Sequence, residues 1–310
     1  MDINLNGKVA LITGTGPNIG SGLALMLAKY GARVACNDIR PEAAEAAVKR
    51  VQRNGGEAMA IPGDVADEEQ VRSYVQKVLD EWGKIDILVN CAGVDGGANI
   101  LEFEGERWTR QITVNLSGNF FNTKWVARSM VERGLKGSIV CIVSTAGWQG
   151  RPNSVGYCSS KGGIIQFARA VAMDLAPYGI RVNTFTPTST EADNPQLVEA
   201  RRVAREAGNN AQFFSALPGM SSRENAGGQA NESFRTGGES PFEKMVPMGE
   251  LPTPTDYGHM IAFICSDYCR LVTGTDFRVD GGALAKYWPY IPPEEKAGPL
   301  PLISMEIQGA

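Results

Sequence analysis

The N-terminal segment carries the pattern that most restricts what this chain can fold into. An apolar run at residues 8–13 leads into the glycine-rich segment T-G-T-G-P-N-I-G-S-G, and a helical segment follows at residues 23–30. A second apolar run, residues 32–37, ends in Asp38. Strand, glycine-rich turn, helix, strand and acid in this order predict a mononucleotide-binding unit of a parallel α/β sheet.

The same alternation of strand and helix continues along the chain. The predicted helices are 41–54, 68–82, 107–133 and one that begins near residue 154, and the predicted strands are 57–61, 85–89, 139–143 and 180–187. This alternation predicts a single doubly wound Rossmann-type α/β domain, with a parallel sheet of about seven strands and helices on both faces. We assign residues 1–282 to this domain, residues 188–250 within it to a substrate lid, and residues 283–310 to a C-terminal extension.

Two registers of the dinucleotide fingerprint compete within the glycine-rich segment. One uses Thr15, Gly16, Gly20 and Gly22 and matches T-G-x-x-x-G-x-G letter for letter, and the other uses Thr13, Gly14, Asn18 and Gly20 with Asn in place of one glycine. We favour the second, because Gly14 follows the strand directly and Gly20 then lies where the helix must start. Asn is the non-glycine residue that best tolerates a positive φ, so we expect the turn to accept Asn18 in that conformation.

Asp38, at the end of the second predicted strand, bears on cofactor choice. A carboxylate there accepts hydrogen bonds from the adenosine ribose hydroxyls and repels a 2′-phosphate, which favours NAD over NADP. Arg40, two residues later, would soften that repulsion. The alternative is that Asp38 only caps the helix that begins near Pro41.

A second chemical pattern lies between residues 144 and 161. Tyr157 and Lys161 are one helical turn apart and share a face, so the ammonium is expected to lower the pKa of the phenol and make it a general base. Ser144, at the end of the strand before them, would hold a carbonyl or alcohol oxygen. On its own, Y-x-x-x-K also fits a partly buried Tyr beside a solvated Lys.

Composition excludes several classes of function. A net charge of -4 without a long basic run argues against nucleic acid and against an anionic membrane surface. The six cysteines form no C-x-x-C pair and there is one histidine, so we expect reduced thiols and no metal site in a cytoplasmic protein. The N-terminus is polar, and no run reaches the roughly 20 apolar residues of a membrane span.

From residue 6 to about residue 282, the ordered motifs resemble the short-chain dehydrogenase/reductase family. The matching features are the turn at residues 13–20, Asp64 with Val65, N-C-A-G at 90–93, Asn115, Ser144, Tyr157 with Lys161, R-V-N at 181–183 and V-T-G-T-D-F-R-V-D-G-G at 272–282. No single motif is decisive, but their order and spacing are specific. The resemblance implies a Rossmann fold, a nicotinamide cofactor and a small alcohol or ketone substrate.

The resemblance also implies residue roles. Tyr157 would be the acid/base, Lys161 would lower its pKa and bind the nicotinamide ribose, and Ser144 would bind the substrate oxygen. Asn115 would hold a helix bulge and a water that connects Lys161 to solvent. The implied cofactor contacts are Gly14, Asn18, Ile19, Gly20, Asp38, Asp64, Val65, Asn90, Ala92, Gly93, Tyr157, Lys161, Pro187 and Thr190. Besides Ser144 and Tyr157, we expect Trp148 and Asp95 to contact the substrate, because they flank catalytic segments.

The chain departs from the family pattern at positions other than the four implied catalytic residues Asn115, Ser144, Tyr157 and Lys161. The departures are Asn18 for a glycine, Cys91 for an asparagine, Thr188 for a glycine, Ala192 for a threonine and Glu250 for a basic residue. We expect Thr190 to take over the missing threonine contact to the carboxamide. These departures leave the nicotinamide contacts after Pro187 open.

Two segments are this chain's own. In the lid, residues 194–207 read as a helix and residues 221–241 as a mobile loop, and the apolar side chains between them are Phe213, Phe214, Leu217 and Met220. These four are pocket walls or packing between lid helices, and as walls they favour a cyclic or aromatic alcohol. The tail after Gly282 is rich in Pro and aromatic residues and either packs across the body or a neighbouring subunit, or frays.

The leading hypothesis is an NAD-dependent oxidoreductase that interconverts a secondary alcohol and its ketone, assembled as a homotetramer or dimer as the resemblance implies. One alternative is an NADPH-dependent ketone reductase of the 3-oxoacyl type. Another is a cofactor-sensing protein that keeps the fold without the chemistry, although such proteins usually lose the Tyr or the Lys. A lyase or epimerase that uses the same residues also remains open.

Overall fold

A computed structural model of the chain describes residues 2–206 and 246–286. The strands are β1 (Val9–Ile12), β2 (Arg33–Cys36), β3 (Ala58–Ala60), β4 (Ile87–Asn90), β5 (Gly137–Ile142), β6 (Ile180–Pro187) and β7 (Asp276–Val279). The helices are α1 (Ile19–Lys29), α2 (Pro41–Arg53), α3 (Glu68–Trp82), α4 (Gly105–Ile112), α5 (Gly118–Glu132), α6 (Val155–Leu175), α7 (Pro195–Glu206) and α8 (Pro254–Cys265). The predictions for residues 207–245 and 287–310, including Phe213, Phe214, Leu217 and Met220, lie outside the described residues.

The seven strands form one parallel sheet in the order β3-β2-β1-β4-β5-β6-β7. This confirms the predicted doubly wound fold. The strand order reverses between β1 and β4, and ligands of such sheets bind outside the carboxyl ends of the strands at that point.

Alternate side chains of the strands pack into two apolar layers, one on each face of the sheet. Val9 and Leu11 of β1 pack with α3, α5 and α6, whereas Ala10 and Ile12 pack with α1, α2 and α8. Because both faces are covered, β1 is buried along its whole length, which is why it reads as an unbroken apolar run.

Local signals account for several helix ends. Asp67 accepts hydrogen bonds from the backbone N–H groups of Glu69 and Gln70 and so caps α3, which ends at Gly83 with a φ of +76°. Thr253 and Asp256 form a reciprocal capping box at the start of α8. The helix predicted at 107–133 is interrupted by a π-helical turn, Thr113–Ser117, between α4 and α5.

The six cysteines form no disulfide bond, as predicted. None of the helices within residues 2–206 and 246–286 is both long enough and apolar enough to cross a membrane.

Candidate active site

The carboxyl ends of β1 and β4 meet at the point where the strand order reverses. Gly14, two residues after β1, has a φ of +67°, and a Cβ there would lie 2.5 Å from the Cα of Ala92. Thr13 is buried, and its Oγ1 accepts hydrogen bonds from the N–H groups of Cys91 and Ala92, both over 3.1 Å. Only glycine at position 14 therefore allows the two turns to approach this closely.

The remaining residues of the glycine-rich turn have separate tasks. A Cβ on Gly20 would overlap the carbonyl group of Gly14, so the start of α1 lies directly on the turn after β1. Gly22, which belongs to the literal fingerprint match, instead faces Pro254 of α8 and permits close packing of the two helices. The positive φ expected at Asn18 is wrong: its φ is −101°, because Asn18 is the residue before α1 and the turn reverses at Gly14. The Oδ1 atom of Asn18 is buried and has no hydrogen-bond partner among the described residues.

Asp38 follows β2 and is 7% exposed. Its Oδ1 accepts from the backbone N–H of Arg40 over 3.1 Å and from the Arg40 Nε over 3.4 Å. Its Oδ2 faces the turn, 3.7 Å from where a Cβ of Gly16 would lie. The N-cap residue of α2 is Arg40, with no side-chain cap, so the geometry does not support a capping role for Asp38.

Asp64, Val65 and Asn90 lie on the same edge of the sheet and are engaged with neighbouring helices. Asp64 pairs with Arg110 of α4 over 3.3 Å, and Val65 is buried. Asn90 Nδ2 donates to the Oγ1 of Thr123 over 3.1 Å. The Oδ1 of Asn90 is buried and unpartnered within the part of the chain that the structure describes.

Asn115 lies in the π-helical turn, at the position where the resemblance implies a helix bulge. Its Oδ1 accepts from the N–H of Val94 over 2.7 Å, and its Nδ2 donates to the carbonyl of Val94 and to the Oγ of Ser160, over 3.0 and 2.9 Å. A Cβ at Gly93 would lie 3.3 Å from the Asn115 Oδ1 and 3.6 Å from the Lys161 Nζ. Asn115 thus fixes the segment after β4 against α6.

Ser144, Tyr157 and Lys161 come together between β5 and α6. Lys161 is 4% exposed and its Nζ donates to the carbonyl of Ile142 over 2.8 Å. Burial lowers the pKa of Lys161 from 10.5 to about 8. Its Nζ lies 5.8 Å from the centroid of the Tyr157 ring.

The pKa of Tyr157 is raised from 10.0 to about 12. The lowering of this pKa that was expected from the Lys161 ammonium is therefore wrong. Burial has the largest effect, and Asp95 adds to it. A hydrogen bond from Ser144 and the charge of Arg151 act in the opposite direction. Desolvation of the buried phenol therefore outweighs the hydrogen bond and the charge that favour the phenolate.

Sequence reasoning missed Arg151. Its guanidinium carbon lies 4.9 Å from the centroid of the Tyr157 ring, and its Nη2 pairs with both carboxylate oxygens of Asp95. Asp95 is therefore linked through Arg151 to the surroundings of Tyr157, and its contact with a substrate stays a prediction. The only signal for Arg151 was a basic residue shortly before Tyr157, with nothing to link it to position 95.

Trp148 is directed toward the last two strands. Its Nε1 donates to the Oγ1 of Thr186 over 3.0 Å, and the Arg278 guanidinium lies 4.4 Å from the centroid of its ring system. Thr186 and Arg278 both bond to the carboxylate of Asp276, over 2.8 and 3.0 Å. This network connects the turn after Ser144 to β6 and β7.

Pro187 is the last residue of β6, and the segment after it is tied to α8. The Thr190 hydroxyl donates to the carbonyl of Thr188 and forms a hydrogen bond with the Tyr257 hydroxyl, both over 3.0 Å. The Asp193 carboxylate accepts from the N–H and hydroxyl of Thr255. In the described ranges, no group of three His, Cys, Asp or Glu side chains is arranged to hold a metal ion.

The chain is similar to known proteins over most of its length. The sequence profile of short chain dehydrogenases matches residues 8–202, and a profile of enoyl-(acyl carrier protein) reductases matches residues 197–283. A 2,3-dihydro-2,3-dihydroxybenzoate dehydrogenase of Bacillus subtilis is 32% identical over 90% of this chain and 97% of its own length.

Two solved structures share the fold. One is an NAD+-bound xylitol dehydrogenase with 34% identity and a TM-score of 0.71, over 89% of this chain and 99% of that one. The other is a gluconate 5-dehydrogenase from Burkholderia cenocepacia in complex with NADP and tartrate, with 29% identity and a TM-score of 0.73, over 92% of this chain and 98% of that one.

Proposed function

The chain belongs to the short-chain dehydrogenase/reductase family, whose oxidoreductases act on alcohols and ketones, and on that premise we propose that it is an NAD-dependent enzyme that interconverts a secondary alcohol and its ketone. The observation that carries the proposal is the convergence of Ser144, Tyr157 and Lys161 beside the turn that holds Gly14. Asn115 anchors this group from the π-helical turn.

The residues at the edge of the sheet fit a dinucleotide. Gly14 and Gly20 have no side chain to block the turn directly beside the N-terminus of α1, where a pyrophosphate would accept backbone hydrogen bonds. The buried oxygen atoms of Asn18 and Asn90 have no donor among the described residues, and hydroxyl groups of a bound cofactor would supply one. Asp38 would accept from the adenosine ribose hydroxyls.

Within this proposal the protein's residues handle the proton and hold the substrate. The chemistry that NAD supplies when bound is acceptance of a hydride from the carbinol carbon. Tyr157 takes the hydroxyl proton of the alcohol as a phenolate, and the neutral phenol returns it when a ketone is reduced. Ser144 holds the substrate oxygen, and both Ser144 and Arg151 favour the phenolate against the effect of burial.

NADP is the alternative cofactor, and Arg40 is the observation that favours it. The guanidinium of Arg40 lies beside Asp38 and would contact a 2′-phosphate, and the related gluconate 5-dehydrogenase was solved with NADP. Substitution Asp38→Ser, which removes the repelling carboxylate and leaves Arg40, is expected to lower the ratio of kcat/KM for NAD to that for NADP by about 10- to 100-fold. If wild type already prefers NADP, the NAD assignment is wrong.

The carbon skeleton of the substrate stays a prediction. The cyclic or aromatic alcohol expected from the sequence depends on Phe213, Phe214, Leu217 and Met220, which lie outside the described residues. The related proteins act, by name, on 2,3-dihydro-2,3-dihydroxybenzoate, on xylitol and on gluconate. Assembly as a homotetramer or dimer in the cytoplasm belongs to the same proposal, and light scattering against the 33.3 kDa chain mass tests the assembly.

The test is NADH formation from NAD with a panel of cyclic, aromatic, aliphatic and polyhydroxylated secondary alcohols. Tyr157→Phe is compared with Tyr178→Phe, a control at an exposed tyrosine after α6. We expect wild type and Tyr178→Phe to turn over the same alcohols, and Tyr157→Phe to lose about 10²- to 10⁴-fold in kcat/KM. Equal turnover by Tyr157→Phe would contradict the assignment, and NADH binding without turnover on any alcohol would favour the cofactor-sensing alternative.

A further inference from the structure

Two loops beside Tyr157 are joined by an ion pair that the reaction above does not use for proton transfer. One loop, residues 94–99, follows β4, and the other, residues 149–154, precedes α6. The Arg151 Nη2 donates to both carboxylate oxygens of Asp95, over 2.6 and 2.7 Å. The backbones of the loops also touch, since a Cβ on Gly97 would overlap the carbonyl group of Asn153. The ion pair therefore spans two loops that are already in contact.

Both members of the pair are held from behind. The Arg151 Nε donates to the Oγ of Ser154 over 2.7 Å, and Asp95 accepts from the N–H of Gly96. Gln111 of α4 in turn donates to the carbonyl of Gly96 over 2.7 Å. A polar pair that is fixed in this way loses little conformational entropy when it binds a ligand.

The pair is also within reach of a molecule bound at Tyr157. The Arg151 guanidinium lies 4.9 Å from the centroid of the Tyr157 ring. The side chains of Arg151 and Asp95 are 41% and 38% exposed, so neither is sealed into the protein. The charges of both act on the phenol, since Asp95 raises its pKa and Arg151 lowers it. A substrate whose carbinol meets Tyr157 would place its neighbouring atoms beside this pair.

A fixed guanidinium–carboxylate pair binds some substituents beside the carbinol better than others. A hydroxyl group donates and accepts, so it can bond to Asp95 and Arg151 together. A carboxylate would use only Arg151 and would be repelled by Asp95. An alkyl group would remove water from both charges without replacing its hydrogen bonds, which costs free energy.

We propose that Asp95 and Arg151 bind a second hydroxyl group of the substrate, so that the substrate is a diol or polyol whose reacting carbinol adjoins another hydroxylated carbon. This inference rests on the proposed function, because it takes Tyr157 as the group that meets the carbinol. It names the substituent beside the carbinol and leaves the length and ring closure of the carbon skeleton to the rest of the pocket.

The experiment compares matched alcohols that differ in one group. Cyclohexanol, 1,2-cyclohexanediol and 2-hydroxycyclohexanecarboxylate form one series, and 2-butanol, 2,3-butanediol and 3-hydroxybutyrate form an open-chain series. Each is tested with wild type, Asp95→Asn, Arg151→Gln and the control Glu69→Gln, which breaks an exposed ion pair with Arg72 on α3. The readout is the ratio of kcat/KM for the diol to that for the mono-alcohol, over a range of pH. Because the same Tyr157 acts on both alcohols, its altered pKa in the variants largely cancels in this ratio.

We expect the diol to be preferred about 10- to 100-fold by wild type and by Glu69→Gln, and the ratio to fall toward one in Asp95→Asn and in Arg151→Gln. A wild-type ratio near one, or a ratio that survives in both variants, would overturn the proposal. A preference for the hydroxy acid that only Arg151→Gln removes would also overturn it, in favour of carboxylate recognition.

Binding separates this inference from the redox function on which it rests. Binding of each alcohol to the complex of the protein with NADH, followed by NADH fluorescence, needs no turnover. If nothing turns over but the diol binds and Asp95→Asn loses that binding, the hydroxyl site stands and the dehydrogenase proposal falls. If mono-alcohols turn over and the diol has no advantage in binding or rate, the hydroxyl site falls and the dehydrogenase stands.

Discussion

The two sides of the candidate site, the proposed cofactor side and the proposed substrate side, are built in different ways. The cofactor side is shaped by backbone: Gly14 turns with a positive φ against Ala92, and Gly20 lies directly on the Gly14 carbonyl. The substrate side is shaped by side chains from distant parts of the sequence, such as Arg151 with Asp95 and Trp148 with Thr186. The cofactor side requires glycines, because a Cβ would collide with neighbouring backbone. The substrate side requires particular pairs of polar side chains that bond to each other. Substitutions on the two sides should therefore change different properties of the protein.

The largest effect is expected at Lys161, where the two sides meet. Lys161→Met removes the ammonium beside Tyr157 and should lower kcat/KM by about 10²- to 10⁴-fold. Steady-state NADH formation measures this. Turnover within a few-fold of wild type would mean that the ammonium has no part in the reaction.

The same substitution has a pH signature in stability. The pKa of Lys161 is about 8 in the folded chain against 10.5 when unfolded, so between these values the unfolded chain binds more protons and stability rises with pH. Wild type should gain roughly 3 kcal/mol of unfolding free energy relative to Lys161→Met across that window. Urea unfolding of both proteins from pH 7 to 10 measures most of this change in unfolding free energy. A difference that does not vary with pH would contradict the burial of a charged Lys161.

A pair of glycine substitutions tests the backbone side. Gly14 and Gly7 have φ values of +67° and +73°, but a Cβ on Gly7 would meet nothing within 4 Å. Both Gly→Ala substitutions should cost about 1–2 kcal/mol for the left-handed backbone. Gly14→Ala should in addition displace Ala92 and weaken NADH binding by about tenfold or more. Urea unfolding and NADH titration measure the two effects, and equal NADH affinity in the two variants would show that the contact at Ala92 does not shape the cofactor site.

The smallest effect is expected on the side-chain network. Trp148→Phe keeps an aromatic ring under Arg278 and loses the hydrogen bond to Thr186, about 1 kcal/mol. Trp82→Phe on α3 is the control, because Trp82 also lies under a guanidinium, that of Arg33 at 5.3 Å. We expect Trp148→Phe to lower kcat by less than about tenfold with NADH affinity unchanged, and Trp82→Phe to leave both unchanged. A loss of NADH affinity in Trp148→Phe would mean that the network supports the cofactor side instead.

The contrast also explains what the sequence could predict. The fold follows from local signals: α3 spans Glu68–Trp82, as predicted, because Asp67 caps it and Gly83 ends it. The continuous apolar strands predicted a sheet covered on both faces, and the two core layers confirm it. The register that uses Gly14 could be chosen because the position of Gly14 after a predicted strand is visible in the local sequence.

The substrate side was less accessible to such reasoning. Asp95 and Arg151 are separated by 56 positions in the chain and lie in loops, where no periodicity aligns them. Trp148 was expected at the substrate because it follows Ser144, and its contacts with Thr186 and Arg278 could not be read from the sequence. Its contact with a substrate stays a prediction. The effect of Lys161 on Tyr157 was inferred from helical spacing alone, and spacing gives no account of burial, which dominates both pKa values.

The most direct test of the central claim measures NADH binding and a single turnover on the same preparation of Tyr157→Phe. If Tyr157 is the acid/base at a separately built cofactor site, the variant should bind NADH with a Kd within about an order of magnitude of wild type. Its rate of NADH appearance from NAD and the best alcohol should then be about 10²- to 10⁴-fold lower. A variant that binds NADH and still reduces NAD at the wild-type rate would contradict the assignment of Tyr157.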